Sequence, residues 1–222
     1  MVDMMRVALV LLMIATFALA EDLGKFYIPA KRMEHYRADY GDQAVKRLNS
    51  LLMLMDRLST APEDQIVSEV NRFFNQVEYQ SDIKTWGKKD YWASRLEFLG
   101  RGQGDCEDFA VAKFLTMMQL GVPEKKIFLT YVKAVGYPEE AHLVVTYYKE
   151  QGRTPLVIDN YNTSILPATQ RNDLIPVYSF SANDLFIQKQ QGLGKRINGA
   201  TLKTQQNFKS VDLEILKRAE KK

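Results

Sequence analysis

Cysteine occurs once in the 222 residues, at position 106, and histidine only twice, at 35 and 142. One cysteine excludes an internal disulfide framework, so stability has to come from core packing, and any thiol chemistry is confined to a single residue. An excess of charge of one sign is lacking too: 30 Lys and Arg face 27 Asp and Glu, interspersed through the central region, for a net charge of +3. There is no basic stripe of the kind that tracks a phosphate backbone, and no nucleic acid partner is expected. No phosphate loop is present, which argues against direct nucleotide binding. Without a heptad run, a monomer is expected. What is present is 46% hydrophobic residues, enough for one real core.

The one long apolar run, Val7 to Leu19, follows Arg6 and ends in Ala18-Leu19-Ala20 ahead of Glu21 and Asp22. A cation, an apolar stretch and a small-x-small cleavage pattern read as a signal peptide over 1–20, which implies export. Asp3 offsets Arg6, and an uncleaved anchor is the alternative, although a membrane span takes about 20 residues.

Past the signal, Lys31 to Leu58 carries Val45, Leu48, Leu51, Leu52 and Met55 at helical intervals and predicts a long helix broken at Gly41. Pro62-Glu63-Asp64 opens a second helix with Ile66, Val67, Val70, Phe73, Phe74 and Val77 on its buried face. An aromatic, loop-like stretch from Trp86 leads to Phe98 through Gly104, where three glycines suggest a flexible backbone. Helix resumes from Cys106 to Leu120 and stops at Gly121 and Pro123. The pattern then turns to β: Ile127 to Val135, His142 to Tyr148, Pro155 to Asp159 and Pro176 to Phe180 are rich in β-branched and aromatic residues. Helices first and strands after indicate an α+β domain over 21–188, with an antiparallel sheet packed against the cysteine helix. From Lys189 to Lys222 aromatics nearly vanish and basic residues predominate. That stretch reads as a solvated basic tail, with a short amphipathic helix from Val211 and a partner or membrane-surface arm as the alternative.

A thiol attacks carbonyls as the thiolate, and the exposed amides and dipole of a helix N-terminus favour that form. Cys106 holds such a position. His142 opens a strand and is the candidate general base and acid, whereas His35 lies in a polar part of the first helix and reads as a surface residue. Asp159, at the end of Leu156-Val-Ile-Asp, is the candidate for orienting the imidazole; Asn160 would point to the opposite face. For an oxyanion the Cys106 amide is the first donor, and Trp86 and Gln103 are candidates for the second, with a core role the alternative for Trp86. Asp105, Glu107 and Asp108 flank the cysteine and would raise its pKa by like-charge repulsion. Helix capping is the reading that spacing alone favours. The alternative is a Ca²⁺ ion, which prefers such hard oxygen ligands and needs Asp105 to lie in the loop, since helical neighbours two apart diverge.

Trp86-Gly-x-x-Asp-Tyr-Trp-Ala, Gly104-Asp-Cys-Glu-Asp-Phe-Ala, Leu120-Gly-Val-Pro, Tyr131-Val-Lys-Ala, Ala141-His-Leu-Val, Leu156-Val-Ile-Asp-Asn and Pro176-Val-Tyr-Ser-Phe occur in that order. Over Lys31 to Leu185 the sequence thereby resembles the bacterial transglutaminase-like cysteine proteinases. The resemblance implies a papain/transglutaminase-like fold with a Cys106, His142 and Asp159 triad, and a Ca²⁺ cofactor held by Asp105 and Glu107 in place of simple capping. It further implies a periplasmic enzyme that cuts a large biofilm adhesin near its N-terminus, at a paired-alanine site, and an inner-membrane cyclic di-GMP receptor that inhibits it by sequestration. Two other readings share the residues: a transglutaminase or amidase, in which an amine replaces water as acyl acceptor, and a binding module that has lost catalysis.

Overall fold

The computed structural model describes residues 24–181, 185–189, 192–196 and 215–217; the expected signal peptide lies outside them. A two-residue strand, β1 (Phe26–Tyr27), precedes the long helix α1 (Ala30–Leu58). The expected break is at Gly41, whose φ of 79° lies in the left-handed region that glycine enters without a Cβ penalty. The second helix, α2 (Glu63–Phe74), starts after Pro62 with Glu63 and Asp64 in its first turn, where negative charge complements the helix dipole.

Between them and the nucleophile helix lie β2 (Glu78–Tyr79), α3 (Asp82–Trp86), α4 (Arg95–Arg101) and β3 (Gln103–Gly104), which pairs in parallel with β2. The glycine-rich stretch from Phe98 is therefore ordered, contrary to the flexible backbone expected. Its glycines serve close approach: a Cβ on Gly100 would sit 2.7 Å from the Tyr40 ring, and one on Gly104 2.7 Å from the Phe98 ring. Gly102, at φ 69°, ends α4.

Helix α5 (Cys106–Gln119) packs across a sheet built from β4 (Ile127–Ala134), β5 (Tyr137–Tyr147), β6 (Leu156–Ile158), β7 (Leu166–Pro167), β8 (Leu174–Phe180), β9 (Leu185–Lys189) and β10 (Gly192–Arg196). Their order is β10-β9-β8-β4-β5-β6-β7, with every neighbouring pair antiparallel. The expected turn at Gly136 is there, at φ 93°, but Tyr137 and Pro138 already belong to β5, and a register shift at Lys133 and Ala134 accommodates them.

Alternation along β5 sends Leu143, Val145 and Tyr147 into the main core, which also holds Ala110, Phe114 and Leu115 of α5 and Leu48, Leu51 and Met55 of α1. Val144 joins Val132 and Val157 in a small cluster on the other face. Phe98 stacks on Phe74 and meets Phe109 edge-on at 4.8 Å, tying α4, α2 and α5 together. Burying an aromatic side chain of this size contributes about 1.5–3 kcal/mol.

The expected domain boundary at Lys189 falls inside a hairpin. Beyond it β10 pairs with β9, β11 (Leu216–Lys217) pairs with β1, and Ile215 is buried in the core. A free solvated tail is thus corrected for the described part, and at 216–217 strand replaces the amphipathic helix expected there. The misreading has a physical cause. Two glycines weaken the strand pattern of β10, and pairing with β1 is a contact that local pattern does not carry.

Candidate active site

Asp105 is extended, with φ −110° and ψ −165°, and Cys106 is the first residue of α5. The nucleophile candidate therefore stands at a helix start, half-buried, where exposed amides and the dipole favour an anion. Helix α5 is placed against β5 by its apolar face, and the amide of Leu143, the residue after His142, donates to the Cys106 sulfur. The histidine's strand and the cysteine's helix thus meet at the sulfur.

His142 Nε2 lies 2.8 Å from Asp159 Oδ1, with both residues buried. That pairing commits Nε2 and leaves Nδ1 as the nitrogen available for a proton from elsewhere. Asp159 follows the end of β6 and is held from several directions. Oδ1 also accepts from the Tyr161 amide at 3.0 Å, and Oδ2 accepts from Arg171 Nη2 at 2.7 Å. Its main-chain carbonyl accepts from Lys113 Nζ and Asn75 Nδ2, each at 3.0 Å. Burial by itself would raise the Asp159 pKa, but the bonds from His142, Tyr161 and Arg171 more than offset it and hold the carboxyl below the usual carboxylate range.

Sequence reasoning missed Lys113, Asn75 and Arg171. Lys113 had a signal, being the one cation of α5 and set among Phe109, Ala110, Ala112 and Phe114. It is 1% exposed, and burial pushes its pKa down to about 7. Asn75, which caps the C-terminus of α2, receives Lys113 at 2.6 Å. Arg171 had none, being one polar residue in a polar connection.

The three acids around the cysteine divide their roles. Asp108 is 1% exposed and accepts the Ala93 amide at 2.9 Å and the Asp105 amide at 3.4 Å. Asp105 is the N-cap residue and completes a capping box with Asp108, whereas Glu107 faces the Cys106 thiol. Asp82, Asp90 and Glu107 bring one carboxylate oxygen each within 4.8 Å of one another, and so do Asp82, Asp105 and Asp108. Oδ1 of Asp82 and Oδ1 of Asp105 are buried without a hydrogen-bond partner among the described residues. Burial, then Glu107, pushes Asp105 up to about 8; burial likewise lifts Asp82 to about 6 and raises Glu107. Carboxylates crowded together with oxygens unspent fit a hard cation with several oxygen ligands. Asp82 and Asp90 could not be found from sequence, since they stand far from Cys106 in the chain and reach it only through α3 and the loop after it.

The Cys106 thiol lies 3.1 Å from Glu107 Oε2, and its pKa is pushed well up, first by burial and then by the Glu107 and Asp105 charges. Of the oxyanion candidates, Trp86 carries a buried Nε1 with no hydrogen-bond partner among the described residues and packs 4.7 Å from Tyr91. Gln103, on β3, directs Nε2 towards Thr85 Oγ1 at 3.5 Å. His35 is exposed on α1. The rim of the site is aromatic: Tyr161, 70% exposed, stands edge-on to His142 at 5.3 Å and meets the half-exposed Tyr79 at 5.9 Å.

A helix-start cysteine against a strand histidine paired with a buried aspartate is the arrangement of a papain-like thiol hydrolase. Residues 49–176 match the model of the family described as bacterial transglutaminase-like cysteine proteinase, and the chain belongs to that family. Among solved structures, it is similar to calcium-bound LapG of Legionella pneumophila at 34% identity and a TM-score of 0.67, over 81% of this chain and 96% of that one. LapG of the same organism in two further structures, one EGTA-treated, is 36% identical, with TM-scores of 0.64, over 72% and 73% of this chain and 87% and 89% of those. No curated protein sequence matches.

Proposed function

We propose that this chain is a calcium-dependent periplasmic cysteine endopeptidase that cuts a large cell-surface adhesin near its N-terminus and so frees the cell from its attachment. The observation that carries the proteolytic reading is the buried 2.8 Å His142–Asp159 pair on a strand whose next amide touches the sulfur of a helix-start cysteine. A calcium-bound relative and the carboxylate cluster support the cofactor. The adhesin, the periplasm and sequestration by an inner-membrane cyclic di-GMP receptor rest on the sequence resemblance, and export rests on the signal-peptide pattern of residues 1–20.

His142 takes the Cys106 proton at Nδ1 while Asp159 accepts the Nε2 proton in a hydrogen bond, which fixes the tautomer. The thiolate attacks the scissile carbonyl carbon, and the resulting oxyanion is held by the Cys106 amide with Trp86 Nε1 or Gln103 as the second donor. The C–N bond breaks, the leaving amine takes the proton from His142, and a thioester remains on Cys106. Water then gives a proton to His142, attacks the thioester and releases the carboxylate product with return of the proton to sulfur. Asp82, Asp90, Asp105 and Glu107 would hold the calcium ion, whose charge would cancel theirs beside the thiol and favour the thiolate. The exposed Tyr79 and Tyr161 offer the substrate backbone an aromatic rim.

The test is incubation of the mature chain with an adhesin's N-terminal region, with and without chelator, beside Cys106→Ala. Discrete cleavage that needs both Cys106 and calcium is expected. Equal cleavage by Cys106→Ala would remove the nucleophile, and full activity in chelator would remove the cofactor.

A further inference from the structure

We infer that Arg171 is a positioning residue of the active site, acting through Asp159 to keep the proton of neutral His142 on Nε2. The inference rests on the proteolytic reading above and adds a fourth member to its machinery.

A buried carboxylate can orient a histidine only while it is ionised and still. Asp159 is 1% exposed and its Oδ1 is occupied by His142 and the Tyr161 amide, so Oδ2 would be a desolvated anionic oxygen without a charged partner. Arg171 supplies that partner at 2.7 Å, from a side chain that is itself only 2% exposed. Were the carboxyl to take a proton, it would donate to Nε2 and leave the imidazole proton on Nδ1, the nitrogen that must accept from the thiol.

The guanidinium is held by a second carboxylate as well, which shares Nη2 with Asp159. Asp173 receives Nε at 2.9 Å and Nη2 at 2.7 Å, so the planar fork has one orientation. The backbone around it is pinned: the Leu174 amide donates to the Arg171 carbonyl, and the Val135 amide of the β4–β5 turn donates to the Asp173 carbonyl. A chain of contacts from His142 through Asp159 and Arg171 to Asp173 thus ends on the turn that joins β4 and β5. Arg171 Nη1 is buried with no hydrogen-bond partner among the described residues.

The test uses the full calcium-loaded chain and two readouts. With only two histidines in the chain, ¹⁵N-histidine labelling and a His35→Gln control assign His142 by NMR without any substrate. Wild type is expected to carry the neutral imidazole's proton on Nε2, and Arg171→Met to give mixed tautomers. In cleavage of an adhesin N-terminal fragment, Arg171→Met is expected to lower kcat by about tenfold or more with KM within about twofold. In an Asp159→Asn background the same change should add less than about twofold, because the residue acts through Asp159. Asp173→Asn, a change at a largely exposed side chain, should give a smaller loss of the same kind without the risk of misfolding. An unchanged tautomer and kcat in Arg171→Met, or an equal loss in both backgrounds, would overturn the positioning role. If wild type cleaves nothing, the proteolytic reading fails while the NMR result still decides what Arg171 does to His142.

Discussion

Replacing Asp105 by Asn should stabilise the protein in chelator and abolish its response to calcium. Asp105 is pushed from an ordinary value of 3.8 up to about 8 by burial and by Glu107. A carboxyl whose folded-state pKa is raised contributes full stability below its ordinary value and loses it as pH climbs towards the folded one. For Asp105 that window runs from about pH 4 to about pH 8, and near pH 7 about three units at roughly 1.4 kcal/mol each give up to about 4 kcal/mol. Relaxation among neighbouring acids reduces this to about 2–4 kcal/mol, or roughly 5–10 °C in Tm for a chain of this size. The amide of the variant carries no charge to bury, so thermal melts in chelator at pH 7 should rise by that amount for Asp105→Asn and by little at pH 4.5. Added calcium should stabilise the parent by about 2.7 kcal/mol at a hundredfold excess over Kd, read as a higher Tm, and leave the variant almost unmoved. A variant that melts lower than the parent in chelator, or keeps the full calcium shift, would refute the carboxylate cluster as the cation site.

Three further outcomes follow from named contacts. Asp159→Asn should lower kcat by about 10³–10⁴ with little change in KM, because an amide can donate to Nε2 and impose the wrong tautomer; steady-state cleavage checks it. Gly104→Ala should destabilise by about 1–3 kcal/mol in denaturant titration, since the added Cβ meets the Phe98 ring at 2.7 Å and the Asp108 carboxylate of the α5 capping box. Lys113→Met should cost about 1–3 kcal/mol in the same titration, because it removes the donor from Asn75 Oδ1 and the Asp159 carbonyl.

Much of this site was legible because its chemistry uses scarce residues. With one cysteine and two histidines, helix periodicity after Gly104 and strand composition at His142 were enough to nominate Cys106 and His142, and the end of an apolar strand nominated Asp159. The helices α1 and α2 were legible from spacing for the same reason that they bury one face each. What stayed hidden depends on long-range geometry. Asp82, Asp90 and Arg171 are ordinary polar residues in connections, and only the packing of α3 and of the β7–β8 connection brings them to the site. The glycines before Cys106 illustrate an ambiguity of local signals, since the same residue marks flexible backbone and close packing; here Tyr40 and Phe98 fill the space a side chain would need. Beyond Lys189 the pairing of β11 with β1 joins the two ends of the described chain, which no window of sequence encodes.

The most direct test of Cys106 as nucleophile is rapid quenching of a cleavage reaction followed by intact-mass and peptide mapping. A transient adduct on the Cys106 peptide, with the mass of the N-terminal product and sensitive to hydroxylamine as a thioester is, is the expected result. Cleavage at the wild-type rate by Cys106→Ala, or turnover with no adduct under conditions that slow deacylation, would contradict it.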